Sequence, residues 1–144
     1  MSRKLKMLGM LLFLLGMLTG FITMNLKNPR MGLAAHLEGV MNGSFLVIAG
    51  LIWTELRLSG TLKKIVSWAL IYGTFFNWFI TLVAAFLGTS KMTPITGGGF
   101  TGTLLQENIV TAGFISVGFA MVFSVAVITY GLRGKIASHL PTLQ

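Results

Sequence analysis

Four long runs without a fixed charge constrain this chain more than any other feature. Residues 7–26, 65–90 and 108–132 contain no Asp, Glu, Lys or Arg, and residues 31–54 contain only Glu38, with His36 beside it. A helix rising about 1.5 Å per residue crosses a hydrocarbon core of about 30 Å with about 20 apolar residues. Each run therefore predicts a transmembrane helix. The expected fold is all-α: one integral membrane four-transmembrane-helix bundle spanning residues 1–144. Composition supports this, because only 10% of residues are charged, against about 25% in soluble domains. A soluble fold so poor in charge would expose large apolar patches.

The net charge of +8 comes from 11 basic residues against 3 acids. These charges sit in short clusters between apolar runs, so membrane topology explains them better than nucleic-acid binding does. Arg3, Lys4, Lys6, Arg57, Lys63, Lys64, Arg133 and Lys135 fall on one side, and Lys27, Arg30 and Lys91 on the other. The positive-inside rule then places both termini in the cytoplasm, as expected of a multi-pass protein of the bacterial inner membrane. The first run is too long for the apolar region of a signal peptide and no A-x-A site follows it, so a retained helix is expected. There is no Cys, which removes disulfides, thiolate metal sites and cysteine nucleophiles.

The connections are short. Asn28-Pro29 is expected to end the first helix, and Leu58-Ser59-Gly60 breaks the chain between the second and third. Residues 93–102 carry Pro94 and Gly97-Gly98-Gly99 but no G-K-[ST] ending, so they read as a flexible turn or lid rather than a phosphate loop.

Ionisable groups inside a span are costly and usually functional. His36 lies about one turn into the second run. Gly32, Gly39, Gly43 and Gly50 all fall within about 60° of it on a helical projection. Two readings of this nearly bare stripe stand side by side. Gly39 and Gly43 form a G-x-x-x-G pair suited to tight helix packing. Equally, a flat cofactor can lie against the stripe, with His36 as axial ligand to its metal. Glu38 is about 200° from His36 and Asn42 about 120°. Glu38 reads either as an interfacial carboxylate or as a group buried against another helix or subunit. In the third span Gly73, Asn77, Thr81, Ala84 and Gly88 form a stripe expected to face inward, flanked by Tyr72 and Trp78.

Gln106 and Glu107 open the fourth span. A helix N-terminus favours the negative charge of Glu107, and a catalytic role stays open beside that explanation. Thr111 and Gly118 share its face. His139 is expected in a solvated tail. The spans hold no supported Ser-His-Asp arrangement and no H-E-x-x-H. A single membrane His is compatible with haem, whose porphyrin supplies the other four ligands.

The segment from Leu33 to Gly43 (LAAHLEGVMNG), Tyr72-Gly73-Thr74 with Asn77-Trp78, Met92-Thr93-Pro94-Ile95, Gln106-Glu107 and Tyr130-Gly131-Leu132-Arg133 together resemble the hydroxylaminobenzene mutases. More distantly the chain is similar to the styrene oxide isomerases, four-helix membrane enzymes that assemble as trimers and bind haem b between subunits. Their haem-ligating His in the second helix is followed six residues later by an Asn, matching His36 and Asn42, and an Asn in the third helix matches Asn77. The likeness stops at an acid that corresponds to Gly73 and a Tyr that corresponds to Thr81.

The resemblance implies a homo-oligomer, a trimer by analogy, with haem b ligated by His36 and approached through Gly32, Gly39 and Gly43. It implies a small aromatic substrate, hydroxylaminobenzene, rearranged to 2-aminophenol. Asn42, Asn77, Glu38, Glu107, Thr81 and Tyr72 are the candidate catalytic residues. The two Asn would orient the N–OH group, and Glu107, ahead of Glu38, would carry the proton. The rival expectations are an aryl epoxide isomerase and, outside catalysis, a small multidrug-type transporter.

Overall fold

The computed structural model describes residues 1–133. Lys135 and His139 lie outside the described residues. Helix α1 spans Ser2–Ile22 and runs into a 3₁₀ turn, Thr23–Asn25; α2 spans Pro29–Ile52, α3 Gly60–Leu87, the short α4 Pro94–Gly97 and α5 Leu104–Gly131. There is no strand among the described residues. The helices α1, α2, α3 and α5 are long and apolar enough to cross a membrane, so the protein is a multi-pass, all-α membrane protein.

The helices begin before the charge-free runs, for identifiable reasons. Arg3, Lys4 and Lys6 lie in α1, and Lys63 and Lys64 in the first turns of α3. Long basic side chains tolerate helix ends because their heads reach the interface. At 28 residues each, α3 and α5 measure about 42 Å, more than the hydrocarbon core. Ser59 caps α3 by accepting from Leu62 N. Thr103 and Gln106 form a reciprocal capping box at the start of α5. Asn28-Pro29 begins α2 rather than ending α1, a correction to the sequence expectation. Asn28 Oδ1 accepts from Met31 N at 3.2 Å, and Pro29 takes the first helical position, where its missing N–H costs nothing.

The bundle is open. α1 packs on α2, α2 on α3 and α3 on α5, while α1 and α5 do not touch. The closest pairing is α1 with α2. A methyl added at Gly16 would sit 2.6 Å from the Gly39 carbonyl carbon, and one at Gly43 would sit 2.5 Å from Phe13 N. The glycine stripe of α2 is therefore filled by the backbone of α1. The expectation that a porphyrin lies against Gly39 and Gly43 is corrected: these glycines exist for helix packing. Gly32 is likewise covered, with Leu26 Cδ1 at 2.8 Å from the position its Cβ would take.

Residues 93–102 form a packed cap over the start of α2 rather than a free turn. Buried Asn28 donates from Nδ2 to Thr96 O at 3.0 Å, and its backbone N–H donates to Ala85 O at 3.0 Å. The Thr96 hydroxyl approaches Met31 Sδ at 3.2 Å, and Arg30 donates to Gly98 O. Lys27 Nζ donates to Leu87 O at 2.8 Å, satisfying a carbonyl at the C-terminal end of α3.

Gly39→Leu is expected to separate α1 from α2 and to destabilise the fold by about 2 kcal/mol or more, measured by reversible unfolding in mixed micelles. Unchanged stability would mean that the glycine contact does not hold the two helices.

Candidate functional site

Two polar groupings sit in the membrane on different sides of α2. The first is His36. Its Nδ1 lies 2.8 Å from the Gly16 carbonyl oxygen. A carbonyl only accepts, so Nδ1 carries the hydrogen and Nε2 presents a lone pair. This is the arrangement metal-ligating histidines use, with the second ring nitrogen held by an acceptor. Gly20 makes the approach possible, since a Cβ there would stand 3.0 Å from Nδ1. The half-buried imidazole opens onto a groove of about 470 Å³ whose walls include Thr23, Met24, Pro29, Arg30 and Leu33. That size suits a cofactor or small ligand.

His36, the free Nε2 and the open groove fit an axial haem ligand. Among the described residues no cluster of His, Cys, Asp and Glu could hold a bare metal ion. A porphyrin needs only the one protein nitrogen.

The second grouping is a carboxylate with two amides. Asn42 Nδ2 donates to Glu38 Oε2 at 2.9 Å, and Asn77 Nδ2 donates to the same oxygen. One turn separates Glu38 from Asn42 on α2, and Asn77 reaches across from α3. Asn42 is buried, while Glu38 and Asn77 are half-buried. Two amide donors stabilise a carboxylate that the apolar surroundings would otherwise penalise. The structure thus unites Glu38, Asn42 and Asn77. Both donors converge on one oxygen of the carboxylate, Oε2.

The remaining candidates lie elsewhere. Glu107 accepts from the backbone N–H groups of Ser90 (3.0 Å), Lys91 (3.0 Å) and Gly102 (3.0 Å). Its carboxylate clamps the α3–α5 connection. Tyr72 is exposed on the far side of α3, with its hydroxyl 2.7 Å from Ser116 Oγ. It does not join Asn77 within one subunit. Thr81 is buried and returns its hydroxyl to Asn77 O at 2.8 Å, which supports the helix that carries Asn77 rather than reaching the carboxylate. The inward stripe of α3 is otherwise as expected: Gly73, Thr81, Ala84 and Gly88 are buried.

Sequence reading overlooked Gly16, Gly20 and Thr19. Gly9, Gly16 and Gly20 recur at spacings of seven and four, which is one helix face, and that signal was available. Thr19 accepts from Trp78 Nε1 at 3.0 Å, joining α3 to α1 across Gly39.

Among known proteins, the family described as styrene oxide isomerase matches residues 1–133. The chain is 45% identical over 138 residues to hydroxylaminobenzene mutase HabB of Ectopseudomonas oleovorans, covering 95% of this chain and 84% of that protein. It is 42% identical over 125 residues to hydroxylaminobenzene mutase HabA of the same organism, covering 86% of this chain and 93% of that protein. No solved structure matches the chain.

Glu107→Gln turns an acceptor-only group into one that also presents donors to three amides. Amide hydrogen exchange at Ser90, Lys91 and Gly102 is expected to accelerate about tenfold, the order of one lost charge-assisted bond. Exchange at wild-type rates would show that the carboxylate does not hold the connection.

Proposed function

We propose that this chain, which belongs to the styrene oxide isomerase family, is an isomerase that rearranges hydroxylaminobenzene to 2-aminophenol. One observation carries the reading: a single intramembrane carboxylate, Glu38, held by Asn42 and Asn77. The identity to two proteins named as mutases supports the choice of substrate.

Substrate and product are isomers, so the reaction needs no oxidant, reductant or net proton. The N–O bond breaks with its electron pair on oxygen. The same hydroxyl then bonds the ortho carbon, giving a ring that carries both H and OH there. Loss of that ring proton restores aromaticity, and the exocyclic nitrogen takes up one proton. Proton removed and proton delivered balance, so one carboxylate suffices. Glu38 takes the ring proton and returns it to nitrogen. The amide groups of Asn42 and Asn77 fix the position of that carboxylate and orient the substrate's N–OH. The apolar helices around them keep bulk water from trapping the electron-poor ring.

His36 is the residue that would hold haem b, through Nε2, with its ring fixed by Gly16 O. Haem held there would supply a Lewis acid for the substrate's heteroatom. The His36 groove and the Glu38 carboxylate lie about 200° apart around α2. One copy therefore cannot turn both towards one small substrate. That separation supports a homo-oligomer, a trimer by the resemblance, in which a second copy seated on the open groove would turn its own α2–α3 face towards the first copy's His36.

The second reading is an aryl epoxide isomerase, favoured by the family description alone. In the resemblance, Gly73 and Thr81 replace two groups of the epoxide pocket. Gly73 is covered by Met121, whose Sδ is 2.6 Å from where a Cβ would stand, so nothing replaces the missing acid at that position.

His36→Ala is expected to abolish the Soret band and turnover, and Glu38→Gln to keep the band while lowering turnover at least a hundredfold. In oxygen-18 water, internal return of the hydroxyl leaves 2-aminophenol almost unlabelled; extensive labelling would mean attack by solvent. Brisk isomerisation of styrene oxide without turnover of hydroxylaminobenzene would transfer the assignment to the second reading.

The membrane is the bacterial inner membrane in this reading, with both termini in the cytoplasm, from eight of eleven basic residues on that side. Reporter fusions at Gln144 and within residues 93–102 are expected to report cytoplasm and periplasm respectively; the reverse pattern would invert the topology.

A further inference from the structure

The groove beside His36 carries a second polar element that the proposed chemistry leaves unused. Met24, Pro29 and Leu33 contribute apolar wall, and Arg30 lines the groove near the end that α4 caps. Arg30 and His36 are six residues apart, so the guanidinium and the imidazole are anchored about 9 Å apart along α2. Arg30 is exposed, and its hydrogen bond goes to a neutral acceptor, Gly98 O. A guanidinium has five N–H donors in a planar fork suited to carboxylates. No carboxylate lines the groove. Glu38 is engaged by Asn42 and Asn77, Glu107 by loop amides, and Glu55 is exposed beyond the opposite end of α2. The groove thus offers a neutral nitrogen ligand at one point and an uncompensated cation about 9 Å away, joined by apolar wall.

A ligand that uses both points needs a metal centre, a flat apolar body and an acidic edge. A phospholipid head answers the cation but gives nothing to His36 Nε2. A porphyrin with carboxylate side chains answers all three. We infer that Arg30 binds the carboxylate edge of the porphyrin ligated by His36, and so fixes which edge of the ring faces α4. The inference rests on the haem reading above. Arg30 also contacts Gly98, so the carboxylate edge and the cap over α2 share one side chain.

The test is an equilibrium titration of the full-length protein, stripped of cofactor in detergent, with iron protoporphyrin IX and separately with its dimethyl ester. The Soret band is the readout. Wild type is expected to bind the diacid about tenfold more tightly than the diester, the order of a charge-assisted contact. Arg30→Gln is expected to weaken only the diacid and so erase the difference, and Arg30→Lys to retain part of it. Wild type binding both forms equally would overturn the inference without recourse to any variant. So would Arg30→Gln weakening both forms to the same extent, which marks a structural role. The haem reading fails separately, and takes this inference with it, if wild type gives no saturable band or if His36→Ala keeps it.

Discussion

The backbone contact between α1 and α2 is the constraint on which the candidate site depends. Gly16 packs against Gly39 with no side chain on either residue. The same Gly16 offers its carbonyl oxygen to His36 Nδ1. A helical carbonyl has two lone pairs, so it accepts from the imidazole while remaining within its helix. Gly20, one turn on, leaves room for the ring. Helix packing and the orientation of the imidazole are thus one event. A larger residue at Gly16 or Gly39 would move the carbonyl away and free the imidazole to rotate, without touching Nε2 itself.

The membrane sharpens the meaning of each polar group. With no water to satisfy them, side-chain hydroxyls in the spans bond back to their own helix: Ser44 to Val40 O, Thr74 to Leu70 O, Ser124 to Ala120 O. Such bonds remove a group from chemistry. Thr89 and Thr111 carry the buried side-chain oxygens without a partner among the described residues. Against this background two groups stand out. His36 lines an open groove, and Glu38 gathers two amides, one from its own helix and one from α3. A carboxylate in hydrocarbon is retained only where donors compensate it. Here those donors are Asn42 and Asn77.

Four spans were legible because hydrophobic length is a direct consequence of bilayer thickness. His36 also stood out in the sequence as an imidazole within a span, and the structure places it half-buried with Nδ1 on Gly16 O. The partners were not legible. Residues close on one helix face can be read from spacing, but the contact that satisfies them comes from a different helix. The glycine stripe of α2 therefore read either as a packing face or as space for a flat ligand, and its complement, Gly9 and Gly16 of α1, came only with the structure. The partners of Glu107 were hidden for a related reason: its place at a helix N-terminus was legible, and the loop amides of Ser90, Lys91 and Gly102 that its carboxylate holds were not. Helix starts were misplaced because capping by Asn28, Ser59 and Thr103 acts outside the apolar runs that defined the spans.

The departures at Gly73 and Thr81 acquire a physical meaning from Asn77. The resembled epoxide isomerases carry an acid one turn before this Asn, on the same helix. In this chain that position is a glycine beneath Met121 of α5, and the carboxylate on Asn77 is Glu38 of α2. An amide held by its own helix moves only with that helix. An amide held across a helix boundary is positioned by how α2 and α3 pack, and α2 is in turn positioned by the glycine contact with α1. The carboxylate, the Asn42 amide and the imidazole all sit on one helix, α2, whose rotation would displace them together and draw Glu38 away from Asn77 on α3. The rearrangement proposed above, if the hydroxyl returns to the neighbouring carbon of the same ring, needs such registration more than it needs reactive side chains. A small fold with one His and one acid in its membrane core can provide it.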